Sequence, residues 1–302
     1  MSIDGILLVD KPEGISSARV VSIIKRRLNV KKVGHTGTLD PFATGLLPIA
    51  VGKATRLSRF YLGGNKAYEA TVKLGEKTDT YDKTGEVVAT AEPGCVDSLT
   101  PELIRAAVAE FQGDQEQVAP AFSALKHNGV PLYKLARQGK IVTKPPRQIH
   151  ISDICVTRVE LPEVDISVSC SGGTYIRSLA YDLGENLSCG AHLSALRRTS
   201  SGIFDISRAV TLDAIQEMDP ETLASHILPP SQCVPFFPKL VVDEDAARKI
   251  GYGQALSTEE VGQVTDPTAE YIRLVDDNDH LLALVSPDKT GLTYNYCCVF
   301  IS

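Results

Sequence analysis

The sequence contains no long hydrophobic run, no Cys-x-x-Cys pair and no internal repeat. An apolar segment such as LLPIAV (46–51) has the length of a buried strand, whereas a membrane span needs about 20 apolar residues. The opening residues, MSIDGILLVDKP, have no basic region before the apolar stretch, so we expect no secretory signal. The seven cysteines are odd in number and scattered, which favours a reducing compartment and argues against a zinc site. We therefore expect a cytoplasmic protein that binds neither a membrane nor a metal.

The sequence also lacks the positive charge expected of a nucleic-acid-binding protein, since its formal net charge is −6. The excess of acid lies in residues 232–302, which hold five Lys or Arg and eleven Asp or Glu, while the first 231 residues hold 26 of each sign. Residues 126–150 contain six Lys or Arg and no acid. A second basic cluster consists of Lys25, Arg26, Arg27, Lys31 and Lys32. Charge runs are usually only solvated surfaces, but phosphate contacts are short-range, so two local runs favour a surface that binds an RNA backbone.

Glycine and proline are concentrated in VGHTGTLDPFATG (33–45), which holds a single carboxylate, that of Asp40. Glycine supplies positive φ and proline fixes φ, so this composition predicts a loop of defined shape. Because Pro41 follows Asp40, the backbone of the aspartate is pushed toward an extended conformation. On spacing alone, an aspartate in such a loop is more often structural, hydrogen-bonded to its own turn, than catalytic.

This loop resembles the catalytic motif of the TruB-type pseudouridine synthases, bacterial enzymes that make pseudouridine 55 in the T arm of transfer RNA. Further segments are similar to that family and follow in the same order: VDKPEGISS (9–17), KAYEATVKLG (66–75), TDTYDKTG (78–85), FSALKHNGVPLYKLAR (122–137), GTYIRSLAYDLG (173–184) and HLSALRRTSSG (192–202). The similarity covers residues 5–202 and becomes thin beyond them. Six ordered segments make the resemblance specific, whereas any one of them alone would be weak.

The resemblance and the residue patterns predict an α+β fold. We expect residues 1–231 to form a catalytic domain with a mixed, largely antiparallel β-sheet flanked by helices and loops. Alternation within 66–75, for example, is typical of a half-buried strand. Prolines crowd residues 229–238 and indicate a linker, and VDEDAARKIGYGQAL (242–256) is similar to the opening of PUA-type RNA-binding modules. Residues 232–302 are therefore expected to form a small, mostly β, PUA-like domain that binds RNA.

Several local expectations complete this picture. The polar residues 112–122 are expected to be irregular, because they show no apolar periodicity. The pair of glycines at 172–173 is expected to open a helix over 174–185. Residues 193–199 and 203–206 are expected to form two strands.

Pseudouridine formation breaks the N1–C1′ bond of uridine and joins C1′ to C5, so the base must leave the RNA stack and turn within a pocket. This chemistry needs no metal and no organic cofactor. The resemblance makes Asp40 the nucleophile or electrostatic stabiliser, acting at either C1′ or C6. It makes Tyr68 the ring that stacks on uracil and can move a proton, although an ordinary core aromatic is an equal alternative. It pairs Arg177 with Asp40 to keep the carboxylate ionised, although most helix arginines are merely solvated.

The resemblance also implies a set of substrate-binding residues and a partner, the T stem-loop of transfer RNA, bound by a monomer. His35 would flip the uridine or fill its place in the T loop, although a lone histidine is more often structural. The resemblance also makes Asp82 an RNA contact. From the residues themselves we expect Lys11 to support the loop, Tyr175 and Leu196 to line the pocket, and Lys126, Lys134 and Arg137 of the acid-free run to bind the RNA backbone.

Three alternatives remain open. An RNA-folding chaperone would open the T loop without needing catalysis, and its effect would survive replacement of Asp40. A guide-RNA-dependent synthase of the related archaeal and eukaryotic branch would need partner proteins and strongly basic extensions, which we do not expect here. An Asp-dependent hydrolase would need a second carboxylate near the first, and the Asp40 loop offers none.

Overall fold

The computed structural model of the chain describes residues 3–262 and 269–301, so expectations for residues 1–2, 263–268 and 302 lie outside the described residues. The strands in chain order are β1 (Gly5–Lys11), β2 (Val33–His35), β3 (Thr44–Val51), β4 (Lys66–Leu74), β5 (Glu76–Thr78), β6 (Val87–Thr90), β7 (Gly113–Gln117), β8 (Lys126–His127), β9 (Val130–Pro131), β10 (Arg147–Glu160), β11 (Glu163–Cys170), β12 (Ala191–Ser201), β13 (Phe204–Asp205), β14 (Val210–Thr211), β15 (Lys239–Val241), β16 (Leu256–Ser257), β17 (Ile272–Val275), β18 (Leu281–Pro287) and β19 (Thr293–Val299). The α-helices are α1 (Ser17–Arg27), α2 (Arg59–Leu62), α3 (Pro101–Ala109), α4 (Leu132–Ala136), α5 (Ile176–Asn186), α6 (Leu212–Glu217), α7 (Pro220–Ser225), α8 (Pro230–Cys233), α9 (Glu244–Gly251) and α10 (Thr258–Val261), and 3-10 helices cover Gly52–Ser58 and Ile206–Arg208. Within this described part of the chain, no helix is long and apolar enough to cross a membrane.

A ten-stranded sheet forms the centre of the protein, in the order β14-β1-β3-β12-β4-β11-β10-β7, with β13 paired to β12 and β2 paired to β3. Its neighbours run antiparallel except for β1 with β14 and β3 with β12, which are parallel. Strand β4 lies in the middle of the sheet, paired with β12 and β11, and its alternate residues, among them Tyr68 and Val72, are buried on one face. The predicted α+β class with a mixed, largely antiparallel sheet is confirmed.

Helices α1, α3 and α5 bury apolar side chains in the main core against this sheet. Helix α1 shows how the sequence sets this up. The side chain of Ser16 accepts a hydrogen bond from the N–H of Arg19 and so caps the first turn. One turn apart on the inner face, Val20 and Ile24 are completely buried. The amphipathic pattern therefore directs the helix onto the sheet and leaves Arg19, Lys25 and Arg26 exposed.

Residues 239–299 form a second, five-stranded sheet in the order β15-β17-β18-β19-β16, with a core of its own. A shared core joins the two sheets, since Val275 of β17 lies in the same apolar cluster as Ile6 of β1. A polar contact adds to it: Nζ of Lys53 donates to the carbonyl oxygen of Phe300 at 2.8 Å. The C-terminal part is mostly β, as expected. Its boundary at residues 231–232 and its likeness to a PUA module stay predictions.

Two expectations near the edge of the large sheet are wrong. Residues 112–122 are not irregular throughout, because Gly113–Gln117 pairs with β10 as an edge strand. Edge strands keep one side in solvent and so tolerate polar residues, which hides them from a hydrophobicity pattern. Helix α5 begins at Ile176 and not at 174, because Tyr175 precedes it in an extended conformation, with φ −99° and ψ 108°.

Two further expectations need correction. The proline-rich residues 229–238 are not a free linker, since Pro230–Cys233 is helical and both Cys233 and Val234 are completely buried. Proline fits the first turn of a helix, so its presence did not exclude one. Strand β12 covers residues 191–201, longer than expected, and β13 shrinks to Phe204–Asp205 because Gly202 turns the chain with a φ of +59°.

Candidate active site

The loop around Asp40 is fixed on both sides of the aspartate. Ahead of it, the N–H of Leu39 donates to Oγ of Ser17 at 2.9 Å, and the same hydroxyl donates to the Leu39 carbonyl oxygen at 2.8 Å. Behind it, the carbonyl oxygen of Pro41 accepts from the N–H of Gly14 at 2.8 Å. The carboxylate therefore starts from a backbone position that α1 and the turn after β1 define together.

Arg198 ties the same loop to the sheet. Its side chain is buried, Nη2 and Nη1 donate to the carbonyl oxygens of Gly37 at 3.1 Å and Thr38 at 3.3 Å, and Nε donates to Leu46 at 2.8 Å. The close approach of β12 also explains Gly45. Its φ is +99°, and a Cβ there would lie 2.4 Å from the Arg198 carbonyl oxygen. Strand β12 thus passes directly beside the end of the loop.

Arg177 brings a buried cation against Asp40. Its side chain is 4% exposed and its Nε lies 2.9 Å from Oδ2 of Asp40, an ion pair by distance without an aligned hydrogen bond. Two carbonyl oxygens fix the guanidinium, since Nη1 donates to Thr80 and Nη2 to Phe122, both at 2.9 Å. The structure therefore brings together the two residues that the resemblance pairs, although they are 137 positions apart in the chain.

Asp82 lies behind Arg177 and not on the surface where an RNA contact was expected. Its carboxylate is 5% exposed, with Oδ2 3.3 Å from Nη1 of Arg177. The other oxygen, Oδ1, accepts from the N–H of Thr84 and from the hydroxyl of Thr80, both at 2.9 Å. Because this carboxylate is already occupied by donors, it cannot serve as the second, water-activating acid of a hydrolase. Its geometry instead fixes the guanidinium from the far side.

Tyr68 and Leu196 face the carboxylate from the sheet. Residues of β4 and β12 pair so that Leu196 lies opposite Ala70 and Arg198 opposite Tyr68, and both Tyr68 and Leu196 are buried. Together with the loop and the start of α5 they enclose a cavity of about 50 Å³. The cavity is lined by Leu39, Asp40, Tyr68, Thr174, Tyr175, Ile176, Arg177 and Leu196. It combines one carboxylate, one buried cation and an aromatic wall.

Burial governs the ionisation of these groups. It raises the pKa of the Asp40 carboxyl, an effect that Arg177 opposes and the charge of Asp82 reinforces. The side chain of Asp40 is still 35% exposed, so solvent moderates this shift. Burial also raises the pKa of the Tyr68 hydroxyl, while a hydrogen bond from Arg198 opposes the rise. The tyrosine is therefore neutral at pH 7 and able to donate a proton.

Lys11 and His35 border the loop. Lys11 is completely buried, and its Nζ donates to the carbonyl oxygens of Pro12 at 2.8 Å, Ile15 at 2.9 Å and Pro41 at 3.2 Å, which fits the expected supporting position. Burial lowers the pKa of Lys11 to about 8, although Asp40 partly opposes this. The pKa of His35 is lowered by burial first and by Arg198 second, so its ring is neutral at pH 7.

The expected basic RNA contacts lie outside the cavity. Lys126, Lys134 and Arg137 are exposed on the segment formed by β8, β9 and α4. The structure does not bring them into contact with Asp40. Among the described residues, no group of three or more His, Cys, Asp or Glu side chains could hold a metal ion.

Sequence reasoning did not assign a site role to Arg198 or Gln117. Gln117 holds the backbone of Tyr175 on both sides, since its Oε1 accepts from the Tyr175 N–H at 2.7 Å and its Nε2 donates to the Tyr175 carbonyl oxygen at 3.0 Å. For Arg198 a signal was present, because alternation along β12 places it on the same face as the pocket residue Leu196. Gln117 carries no such signal, since its partner is 58 residues away.

Comparison with known proteins extends this picture. Residues 25–176 match the family model described as TruB family pseudouridylate synthase (N terminal domain), and residues 177–234 match that of the tRNA pseudouridylate synthase B C-terminal domain. The tRNA pseudouridine synthase B of Geobacter sulfurreducens is 42% identical over 299 residues, which cover 96% of this chain and 97% of that one. The enzyme of the same name from Syntrophotalea carbinolica is 46% identical over 250 residues, 83% of this chain and 81% of that one.

Solved structures show the same fold at lower identity. The archaeal box H/ACA sRNP Nop10-Cbf5 complex contains a chain that matches with a TM-score of 0.72 at 26% identity, covering 98% of this chain and 86% of that one. A Cbf5-Nop10-Gar1 complex matches with a TM-score of 0.69 at 28% identity, covering 99% and 84%. Sequence identity to the two curated relatives, 42% and 46%, is higher than to the chains of these complexes, 26% and 28%. On the family models and the length of these matches, the chain belongs to the TruB family of pseudouridylate synthases.

Proposed function

We propose that this chain converts uridine 55 in the T arm of transfer RNA to pseudouridine, acting as a monomer on the T stem-loop. The observation that carries the proposal is the Asp40 carboxylate, held 2.9 Å from the buried Arg177 in a cavity walled by Tyr68 and Leu196. The names of its relatives in the family supply the substrate.

Asp40 is the group that meets the reacting uridine. Its carboxylate can add to a sugar or base carbon, C1′ or C6, or stabilise positive charge at C1′ while the N1–C1′ bond breaks. The freed uracil turns on the ring of Tyr68, C5 bonds to C1′, and the proton on C5 is lost while N1 gains one. The neutral hydroxyl of Tyr68 can supply a proton to the base.

The flipped base enters the cavity in front of Asp40. This cavity measures about 50 Å³ and is walled by Tyr68, Tyr175 and Leu196. The uridine must leave the stacked loop before it can reach Asp40. The neutral ring of His35, at the border of the Asp40 loop, then fills the place that the flipped uridine leaves in the RNA loop.

Tritium release tests the proposed reaction directly. A transfer RNA transcript labelled with tritium at C5 of uridine is incubated with the purified chain alone, since joining C1′ to C5 must expel that hydrogen. We expect release of one tritium per molecule of RNA, and none from a transcript with cytidine at position 55. Tritium release from the transcript with cytidine at position 55 would contradict the assignment of uridine 55 as the target. If the chain released tritium only when a guide RNA and partner proteins were added, the guide-dependent branch would be favoured.

Neutralising Lys134, Arg137 and Lys140 together by glutamine is expected to weaken RNA binding and its dependence on salt. All three side chains are exposed on an acid-free segment. If each contacts a phosphate, the slope of log affinity against log salt concentration decreases by about 2 to 3, because each neutralised phosphate contributes about 0.7 to 0.9. The measurement is a binding titration at several salt concentrations.

A charge-matched control keeps this result specific. It replaces three cations that already pair with carboxylates, namely Lys73, Arg105 and Arg158. The control should keep the wild-type dependence of affinity on salt concentration, since a surface cation that already pairs with a carboxylate binds a phosphate less strongly. Equal slopes in wild type and the first variant would show that the segment does not touch the RNA backbone.

A further inference from the structure

Arg147, at the start of β10, carries buried donors without acceptors. Its Nε and Nη2 atoms make no hydrogen bond with any of the described residues. Two buried arginines near the cavity differ, since Arg177 donates to two backbone carbonyl oxygens and Arg198 to three. The Nε atom of Arg177 also lacks an aligned hydrogen bond, but it faces the Asp40 carboxylate at 2.9 Å. Desolvated N–H donors without any acceptor are unfavourable. The arrangement at Arg147 therefore suits an acceptor that comes from a bound molecule.

The surroundings of Arg147 fix it beside Tyr175. Its guanidinium carbon lies 4.6 Å from the centre of the Tyr175 ring, a cation–π distance. Gly173 makes room for it, because a Cβ there would lie 3.1 Å from Nη1 and the φ of +92° already favours glycine. In the β7–β10 ladder Arg147 pairs with Gln117, the residue that holds the Tyr175 backbone. The Arg147 guanidinium, the Tyr175 ring and the paired ends of β7 and β10 thus form one unit.

This unit is also part of the cavity wall, since Tyr175 lines the space in front of Asp40. A base that enters this cavity contacts the Tyr175 ring, which lines it. A shift of that ring away from Arg147 would uncover Nε and Nη2. The donors then become available at the moment when the flipped nucleotide and its own backbone arrive.

We propose that Arg147 binds a backbone phosphate next to the target uridine, with Tyr175 covering the guanidinium until the base enters; this rests on the proposed function. Phosphates are the only anionic groups of RNA at neutral pH, and the planar guanidinium fork matches two phosphate oxygens.

The test uses synthetic T-arm stem-loops that each carry one uncharged methylphosphonate, placed 5′ or 3′ of the target uridine. For Arg147→Gln we expect the Kd of the unmodified stem-loop to rise about tenfold and the salt slope to fall by about 1. One of the two methylphosphonates should weaken wild-type binding by a similar factor and leave Arg147→Gln almost unaffected. Such coupling identifies the phosphate, which a loss of fold stability would not do.

Two further variants keep the result decisive. Arg158→Gln removes an arginine from the same strand that already pairs with Asp165 at 2.6 Å, and it should bind like wild type. Arg147→Lys keeps the charge but not the fork, so it should retain part of the coupling even if the glutamine variant is poorly folded. Equal weakening of wild type and both Arg147 variants by each methylphosphonate would overturn the proposal, as would an unchanged Kd.

The same stem-loops separate this inference from the proposed function. Wild type is also assayed for tritium release from a stem-loop labelled at C5 of the target uridine. Coupling without release would leave the phosphate contact standing and contradict the proposed reaction. Release without coupling would support the reaction and remove Arg147 from phosphate binding.

Discussion

Replacing Asp40 by asparagine is expected to lower the single-turnover rate of pseudouridine formation by at least about 10³-fold. The amide has the shape of the carboxylate, but it carries no negative charge and is a poor nucleophile. The fold should survive, because Arg177 keeps Asp82 at 3.3 Å and its two carbonyl acceptors. The rate is measured by tritium release with enzyme in excess, and binding by a separate titration.

Binding and control measurements decide what the loss means. Asp40→Asn should bind transfer RNA within about threefold of wild type, since the amide keeps the shape of the carboxylate and the proposed phosphate contacts lie at other residues. Asp153→Asn, an exposed position on β10, should keep the full rate. Retained tritium release by Asp40→Asn would remove the aspartate from the reaction. A biological effect that persists without release would favour the RNA-folding chaperone.

Replacing Arg177 by lysine is expected to lower kcat by about 10²-fold, or about 2.7 kcal/mol in transition-state free energy. The guanidinium faces Asp40 and Asp82 and two carbonyl oxygens at once. A single ammonium group cannot reach all four in the same geometry, so the carboxylate of Asp40 loses its fixed orientation. Single-turnover kinetics at saturating RNA measure the effect.

Replacing Arg177 by methionine is expected to change the pH dependence of the reaction rate. Arg177 lowers the pKa of Asp40 against the effect of burial, so its removal raises that pKa further. The carboxylate then becomes protonated at a higher pH as acid is added, and the acid limb of the pH–rate profile moves to higher pH. The shift is measured in single-turnover rates from acid to neutral pH.

The control for both Arg177 variants is Arg197→Lys. Arg197 also pairs with an aspartate, through two hydrogen bonds to Asp10 at 2.7 and 3.1 Å, but outside the cavity. It should keep the wild-type rate and pH profile. If Arg177→Lys behaves like Arg197→Lys, the pairing with Asp40 has no part in catalysis.

Local patterns predicted much of the fold. Alternation within β4 predicted which of its faces is buried, and the serine before α1 predicted the N-cap of that helix. Both features depend on residues only a few positions away in the chain. The strand Gly113–Gln117 and the buried helix Pro230–Cys233 were missed. Both are stabilised by pairing or packing with distant segments, and such contacts leave no periodic trace in polar or proline-rich residues.

The sequence by itself determined the family, the loop that carries Asp40 and the pairing expected for Arg177, because six ordered segments identify a shared ancestry. Only the tertiary structure decided the position of Asp82, buried behind Arg177, and the free donors of Arg147 beside Tyr175. A side chain's burial and its partners depend on strands that meet across the sheet. That information lies in the register of β12 with β4 and of β10 with β7, and no local sequence pattern contains it.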